Sequence, residues 1–316
     1  MKLGTFLWRA GLVLAVAAGA GQYWLVTRTH EVTARLAARL VPHGELRYER
    51  LWPFPWGGGR AWGLSFQPEG MLQIALQTPT GLRVEARELR LRELRYGDNG
   101  LIERVRGTLY DVRIPVTERR ASIPENPEVG RIPAPTLYDL GYGQLRFDVD
   151  FDIQYVATSR LALLHFNAAG ADIGHAVLSA QLEGTPQIFD RAPDQILVRK
   201  LELEFADAGL LRRFKDVSAA RARLGRPAWE DAMLAHLDRR GRKEGWKWDP
   251  DTARSMRAIV RQSDYVRLKV DPPGDVALRN IRLYAVADWP TLLGFGISNQ
   301  GSISVSPPGG APDQRS

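Results

Sequence analysis

The sequence predicts an α+β protein: an N-terminal transmembrane helix, then a strongly curved antiparallel β-sheet in two halves with a helical insert packed against it. Three observations lead there. Phe6–Val26 is largely apolar and carries no charge apart from Arg9, and at 1.5 Å rise per residue it is about as long as a bilayer's hydrocarbon core is thick. From Gly44 onward the apolar residues recur at a period of two, as in strands with one face in a core and one in water. From Asp207 the helical period returns, until about Gln262, where strands resume.

Residues 1–28 form the expected anchor. Phe6, Leu12, Leu14 and Val16 lie along it, and Tyr23, Trp24 and Val26 lie at its far end, where amphipathic rings suit a membrane interface. Arg9 sits near the other end, within snorkelling reach of head groups. A second reading is a secretory signal cleaved near Ala18-Gly19-Ala20. Both export the rest of the chain, although basic residues flank the segment on both sides and do not set its orientation alone. Residues 29–43 read as a juxtamembrane helix, with Val32, Leu36, Ala37 and Leu40 at helical spacing and Pro42-His43-Gly44 as its stop.

Residues 44–305 read as one β-rich domain. Its first half, 44–117, starts with strands at Gly44–Leu51 and Arg60–Gln67 on either side of WPFPWGGG, followed by Met71–Gln77, Gly81–Arg95 and Leu101–Thr117. Leu89 and Leu91 change parity relative to Leu82, Val84 and Ala86, which implies a bulge or bend. The segment 118–140, with Pro124, Pro127, Pro133 and Pro135, reads as a surface linker between the halves. The second half, 141–206, opens with the clearest strand, Gln144–Tyr155, and continues with Arg160–Ala168, Ile173–Glu183 and Gln195–Phe205 as a meander. The insert, 207–262, holds three helices, with Pro227 and Pro250 suited to first turns. Strands at Tyr265–Val270 and Val276–Ala285 and a helical turn at Trp289–Leu293 close the domain through 264–305, and 306–316 reads as a disordered tail.

Composition removes several function classes. The chain contains no cysteine, so disulfides, thiolate catalysis, zinc-thiolate sites and lipoprotein-type acylation are excluded. The net charge is +7. Its arginines alternate with Leu and Glu along strands rather than forming a basic helix or an RNA-binding signature, so anionic lipid is the expected partner for that charge and nucleic acid is not. No GxSxG elbow, P-loop or Rossmann glycine pattern occurs. Neither catalytic, metal-ligating nor cofactor-binding residues are expected, and the protein is expected not to be an enzyme.

Two stretches are candidate sites. Trp52, Phe54, Trp56 and Trp62 form the densest aromatic run outside the anchor, suited either to a membrane or partner contact or to a hairpin tip folded over its own sheet. Leu145, Phe147, Val149, Phe151, Ile153 and Tyr155 share one face of the clearest strand, where they line an apolar groove or fill a core. Asp148, Asp150 and Asp152 take the opposite face and are expected to meet arginines on a neighbouring strand. The histidines, including His165 and His175, have no metal-helix spacing. The start of the insert, with Arg212, Arg213 and Lys215, suits anionic lipid contact or cover for the sheet.

The order of parts also carries a resemblance. An N-terminal span, a Trp/Pro/Gly tip with a strand ending GLSFQP, then GLRVEARELRLREL, LGYGQLRFDVDFDIQY, FADAGLLRRF and VDPPGDVALRNIRLY together resemble the AsmA-like and YdgA-like single-span bacterial envelope proteins, across most of residues 1–305. The resemblance implies a single-pass inner-membrane protein whose C-terminal domain lies in the periplasm and binds lipid or another apolar ligand in envelope maintenance. An envelope scaffold or assembly factor acting through protein–protein contacts is the alternative. It supplies no catalytic residues.

Overall fold

The computed structural model describes residues 44–54, 58–69, 81–97, 102–116, 135–186, 188, 192–246, 248–262, 264–281 and 283–300. Within them, twelve strands form one open sheet in which every pairing is antiparallel. The strands are β1 Gly44–Arg47, β2 Arg50–Phe54, β3 Gly58–Pro68, β4 Val84–Tyr96, β5 Ile102–Pro115, β6 Gln144–Val156, β7 Leu161–Gly170, β8 Gly174–Glu183, β9 Leu197–Asp207, β10 Tyr265–Val270, β11 Val276–Ala277 and β12 Gly296–Ser298. Their order is β1-β3-β4-β5-β6-β7-β8-β9-β10-β12, with β2 also on β3 and β11 also on β9.

This corrects the expected α+β architecture. The sheet is not in two halves: β5 pairs with β6 from Arg104↔Gln154 to Pro115↔Gln144, so residues 118–140 merely connect neighbouring strands. The prolines mark a break in the chain but not in the ladder. Closing a long loop costs only a logarithm of its length, whereas the ladder gains hydrogen bonds along its whole extent.

Helices are few. The main ones are α1 Leu210–Arg221, α2 Arg226–Glu244 and α3 Pro250–Arg261, with short α4 Leu278–Ile281 and α5 Trp289–Leu293. Among them α3 packs on β12, where Trp248 meets Phe295 edge-on at 6.2 Å and Trp289 meets the same ring at 5.5 Å. α1 instead reaches the turn before β6, where Arg221 pairs with Asp139 at 2.5 Å and the Arg213 guanidinium lies 5.0 Å from the centre of the Tyr142 ring. Two of the helix starts have a local side-chain cause. Asp207 accepts the Leu211 N–H at 3.0 Å as β9 passes into α1, and Asp249 caps α3 by accepting from Asp251 and Thr252, ahead of Pro250. The expected strand Val276–Ala285 is only two residues long, because β10 already occupies β9 from Leu201 to Ala206 and leaves Leu197 and Val198 to pair with β11.

The expected anchor, with Phe6, Leu12, Leu14, Val16, Tyr23, Trp24 and Val26, lies outside the described residues, as do the expected helix 29–43, strand Met71–Gln77 and tail. Among the described residues no helix is long and apolar enough to cross a membrane. The longest, α2, has 19 residues but carries nine Asp, Glu, Lys and Arg side chains, each costly in hydrocarbon. The expected placement as a single-pass inner-membrane protein with a periplasmic domain is therefore corrected.

Among the described residues, full burial of apolar side chains falls in three places and at some small residues. Leu140 and Tyr142 are buried in the turn before β6, where the Tyr142 hydroxyl donates to the Asp172 carbonyl at 2.9 Å. Ile196, Val198, Val276, Ala277 and Leu293 close the end of the sheet where β9 begins, and Ala219 and Trp229 are buried in α1 and α2. On the sheet itself the fully buried apolar residues are small, such as Ala61, Ala86, Val112 and Ala162.

Candidate functional site

Directly opposed residues in an antiparallel ladder share a face, so the register assembles an apolar surface far wider than β6. The row through its middle runs Phe151↔Phe166↔Leu178↔Leu203↔Leu268↔Ile297, one residue from each of β6 to β10 and β12. Beside it run Val149↔Ala168↔Ala176↔Phe205↔Val266 and Ile153↔Leu164↔Ala180↔Leu201↔Val270. Toward the first edge the same face continues as Leu109↔Leu89↔Ala61 and Val112↔Ala86↔Leu64.

Phe151 has room to tilt along this surface because Gly107 lies opposite it in β5. A Cβ at Gly107 would stand 2.9 Å from Phe151 Cζ and 2.7 Å from the Arg90 carbonyl oxygen, so any side chain there displaces the ring or the backbone.

The six β6 residues expected to line a groove or core, Leu145, Phe147, Val149, Phe151, Ile153 and Tyr155, are all half-buried. So are their large neighbours Phe166, Leu178, Leu203, Phe205 and Leu268. None of them belongs to the fully buried set.

The opposite face is polar and internally paired. Arg104 holds Asp152 with two bonds, at 3.1 and 2.7 Å, and keeps that carboxyl below its ordinary pKa. The Thr108 hydroxyl is completely buried; it donates to Asp150 at 2.5 Å and accepts from Arg92 at 2.7 Å. Asp111, almost buried, accepts from Arg113 and Arg146 at 2.5 Å each, and these guanidinium groups hold its carboxyl well below the usual carboxylate range. Its own N–H donates to Asp148 at 2.7 Å. Further along, Arg267 pairs with Glu202, and Arg199 with Glu183 at 2.6 Å.

Asp111 also explains the parity change along β4. It adopts φ 53°, in the left-handed region that Asp tolerates better than most residues, and β5 bulges against β6 between Leu109 and Val112. In the paired strands, Ala86 and Leu89, and likewise Ala61 and Leu64, return to the apolar face three residues apart. Gly63, at φ 62°, supplies the matching freedom in β3.

The described members of the aromatic run lie in strands. Trp52 and Phe54 lie in β2, with Trp52 opposite Arg60 and 53% exposed, while Trp62 in β3 lies opposite Arg50 and is half-buried. Trp56 lies outside the described residues. His165 and His175 do not meet: His165 bonds Ser179 at 3.0 Å, and His175 bonds Asn167, its burial lowering its pKa. Among the described residues no group of three or more His, Asp or Glu is placed to hold a metal. In α1, Lys215 is buried 3.8 Å from Glu230 of α2, where desolvation lowers its pKa, so this cation lies inside a helix pair and not on a lipid-facing surface.

Sequence reasoning missed the breadth of the apolar face. Its signal was present in the alternation of Leu164 and Phe166, of Leu178 and Leu182, and of Leu201, Leu203 and Phe205, but only the ladder register shows that these fall on one side. No family model matches the chain and no curated protein does, so nothing in these comparisons identifies an AsmA-like or YdgA-like family.

Proposed function

We propose that the protein binds lipid or another elongated apolar ligand, without enzymatic chemistry, on the apolar face of its sheet. One observation carries this reading: the row Phe151, Phe166, Leu178, Leu203, Leu268 and Ile297 crosses six neighbouring strands and its members stay half-buried. At about 4.8 Å between strands the row is roughly 24 Å long, against the roughly 15 Å spanned by the acyl chains of one bilayer leaflet. A contiguous apolar surface of that extent left only half-buried is costly in water and marks a binding site more often than a finished surface.

The test is an organic extract of the purified full-length chain, analysed by mass spectrometry. Near-stoichiometric phospholipid or fatty acid supports the reading. A lipid-free preparation that also fails to take up a fluorescent fatty acid analogue contradicts it.

A second reading, a scaffold that docks a protein, is favoured by Trp52. It lies 53% exposed on β2, which pairs only with β3 among the described residues. A crosslinker at position 52 that captures one specific protein, from a preparation free of lipid, supports that reading over the first.

A further inference from the structure

Strands β1 and β2 pair with successive stretches of β3 and are separated by a kink at Tyr48 and Glu49, where the Glu49 N–H still bonds the Trp62 carbonyl at 2.9 Å. Glu49 folds across Gly63, where a Cβ would stand 2.4 Å from its side chain. Kink and bulge together leave an open cavity of about 720 Å³ beside β1, β3, β4 and β5, within the size range of small-molecule sites and too large for a bare inorganic anion.

Four guanidinium groups line it, from Arg47, Arg83, Arg87 and Arg113, against two carboxylates, Glu49 and Glu85. Arg47 is engaged by Glu45 at 2.7 Å and Arg113 by Asp111 at 2.5 Å. Arg83 and Arg87 are different. Both are exposed and, among the described residues, neither makes a hydrogen bond or ion pair, although Arg83 is near enough to Glu45 to help lower its pKa. Elsewhere on the polar face Arg92, Arg104, Arg146, Arg199 and Arg267 have carboxylate partners, while the exposed Arg106, like Arg83 and Arg87, makes no ion pair among the described residues. Trp62 and Tyr48 supply aromatic wall beside the charges.

We propose that this cavity binds a phosphate ester, with the phosphate held by the guanidinium forks of Arg83 and Arg87 and the organic part against Trp62 and Tyr48. Two unpartnered guanidinium groups present more parallel N–H donors than one carboxylate can accept, and match a phosphate that accepts on several oxygens. The ester is either a phospholipid head group or a soluble organophosphate. The site stands on its own residues and does not depend on the apolar face holding a ligand.

The test uses the full-length chain with two probes: glycerol 3-phosphate by titration calorimetry, and vesicles of phosphatidylglycerol against phosphatidylcholine by flotation. Saturable binding is expected for at least one, and the responding probe identifies the source. The Arg83→Gln/Arg87→Gln variant is expected to weaken it at least about tenfold, because charge-assisted forks are lost. Arg95→Gln/Arg254→Gln, which removes the same charge from exposed positions elsewhere, is expected to weaken it less than about twofold, because distant surface charge is screened. Arg83→Lys/Arg87→Lys keeps the charge and loses the forks, so it is expected to weaken binding severalfold even if the glutamine variant does not fold. No saturable binding of either probe, equal loss in the control pair, or undiminished binding by the lysine variant overturns the proposal.

Discussion

Phe151 and Asp152 are neighbours in β6 and face opposite sides of one sheet, and their surroundings differ in kind. Asp152 is held by Arg104, and Asp150 and Asp148 beside it are likewise engaged, so that side of β6 has its polar groups satisfied within the chain. Phe151 lies in a row of large apolar side chains that remain half-buried from β6 to β12. The difference teaches where each face has its partners: electrostatic pairs close at short range within the sheet, whereas apolar surface needs a second layer. Of the described helices, α3 packs beside β12 and α1 reaches the turn before β6, while the large side chains of the rows stay half-buried.

The sharpest way to break this comparison is to make the faces alike. Leu178→Asp combined with Leu203→Asp places two charges side by side in the apolar row, and is expected to cut co-purified lipid at least about tenfold, since an unpaired charge in an apolar site is strongly unfavourable. Ser179→Gln, one position along on the polar face, is expected to leave lipid content unchanged.

Removing the most tightly held group of the polar face comes next. Asp111→Asn, which keeps shape and tolerates the left-handed backbone, is expected to cost about 1–3 kcal/mol in urea denaturation, because two guanidinium groups lose their acceptor charge. The pH dependence has a definite sign. The folded-state pKa of Asp111 is depressed from 3.8, so its contribution is fully present above the unfolded pKa and is lost as pH falls toward the folded one. The wild type is therefore expected to lose stability below about pH 4, and the Asn variant to lose less over the same range.

Gly107→Ala tests the seam between the faces. It is expected to cost about 1–2 kcal/mol from overpacking against Phe151 and the Arg90 carbonyl, and Phe151→Leu in the same chain is expected to recover part of that loss. The smallest effect belongs to Glu103→Gln. Its partner Arg95 is 3.9 Å away and both are exposed, so stability is expected to change by less than about 0.5 kcal/mol.

Much of this contrast was legible in the chain. The alternation of Phe147, Val149, Phe151 and Ile153 with Asp148, Asp150 and Asp152 announces a two-faced strand, and the parity change at Leu89 announces an irregularity near it. The continuity of the sheet was not legible, because four prolines between Glu118 and Leu140 look the same whether they separate two sheets or join two strands of one. Nor was the cavity at the kink, since its arginines come from β1, β5 and the start of β4 and meet only through register. The strand Val276–Ala285 failed because a ladder's length is set by the free edge of its partner, which a single segment does not reveal.

The central claim is that the apolar face receives a ligand and its reverse does not. A benzophenone side chain placed at Phe166, and separately at Asn167 on the opposite face, tests it most directly, with mass spectrometry of the irradiated full-length protein. An adduct with a small apolar molecule is expected at position 166 and none at 167. Crosslinks at 166 to the protein's own chain alone, or equal lipid labelling at both positions, would contradict it.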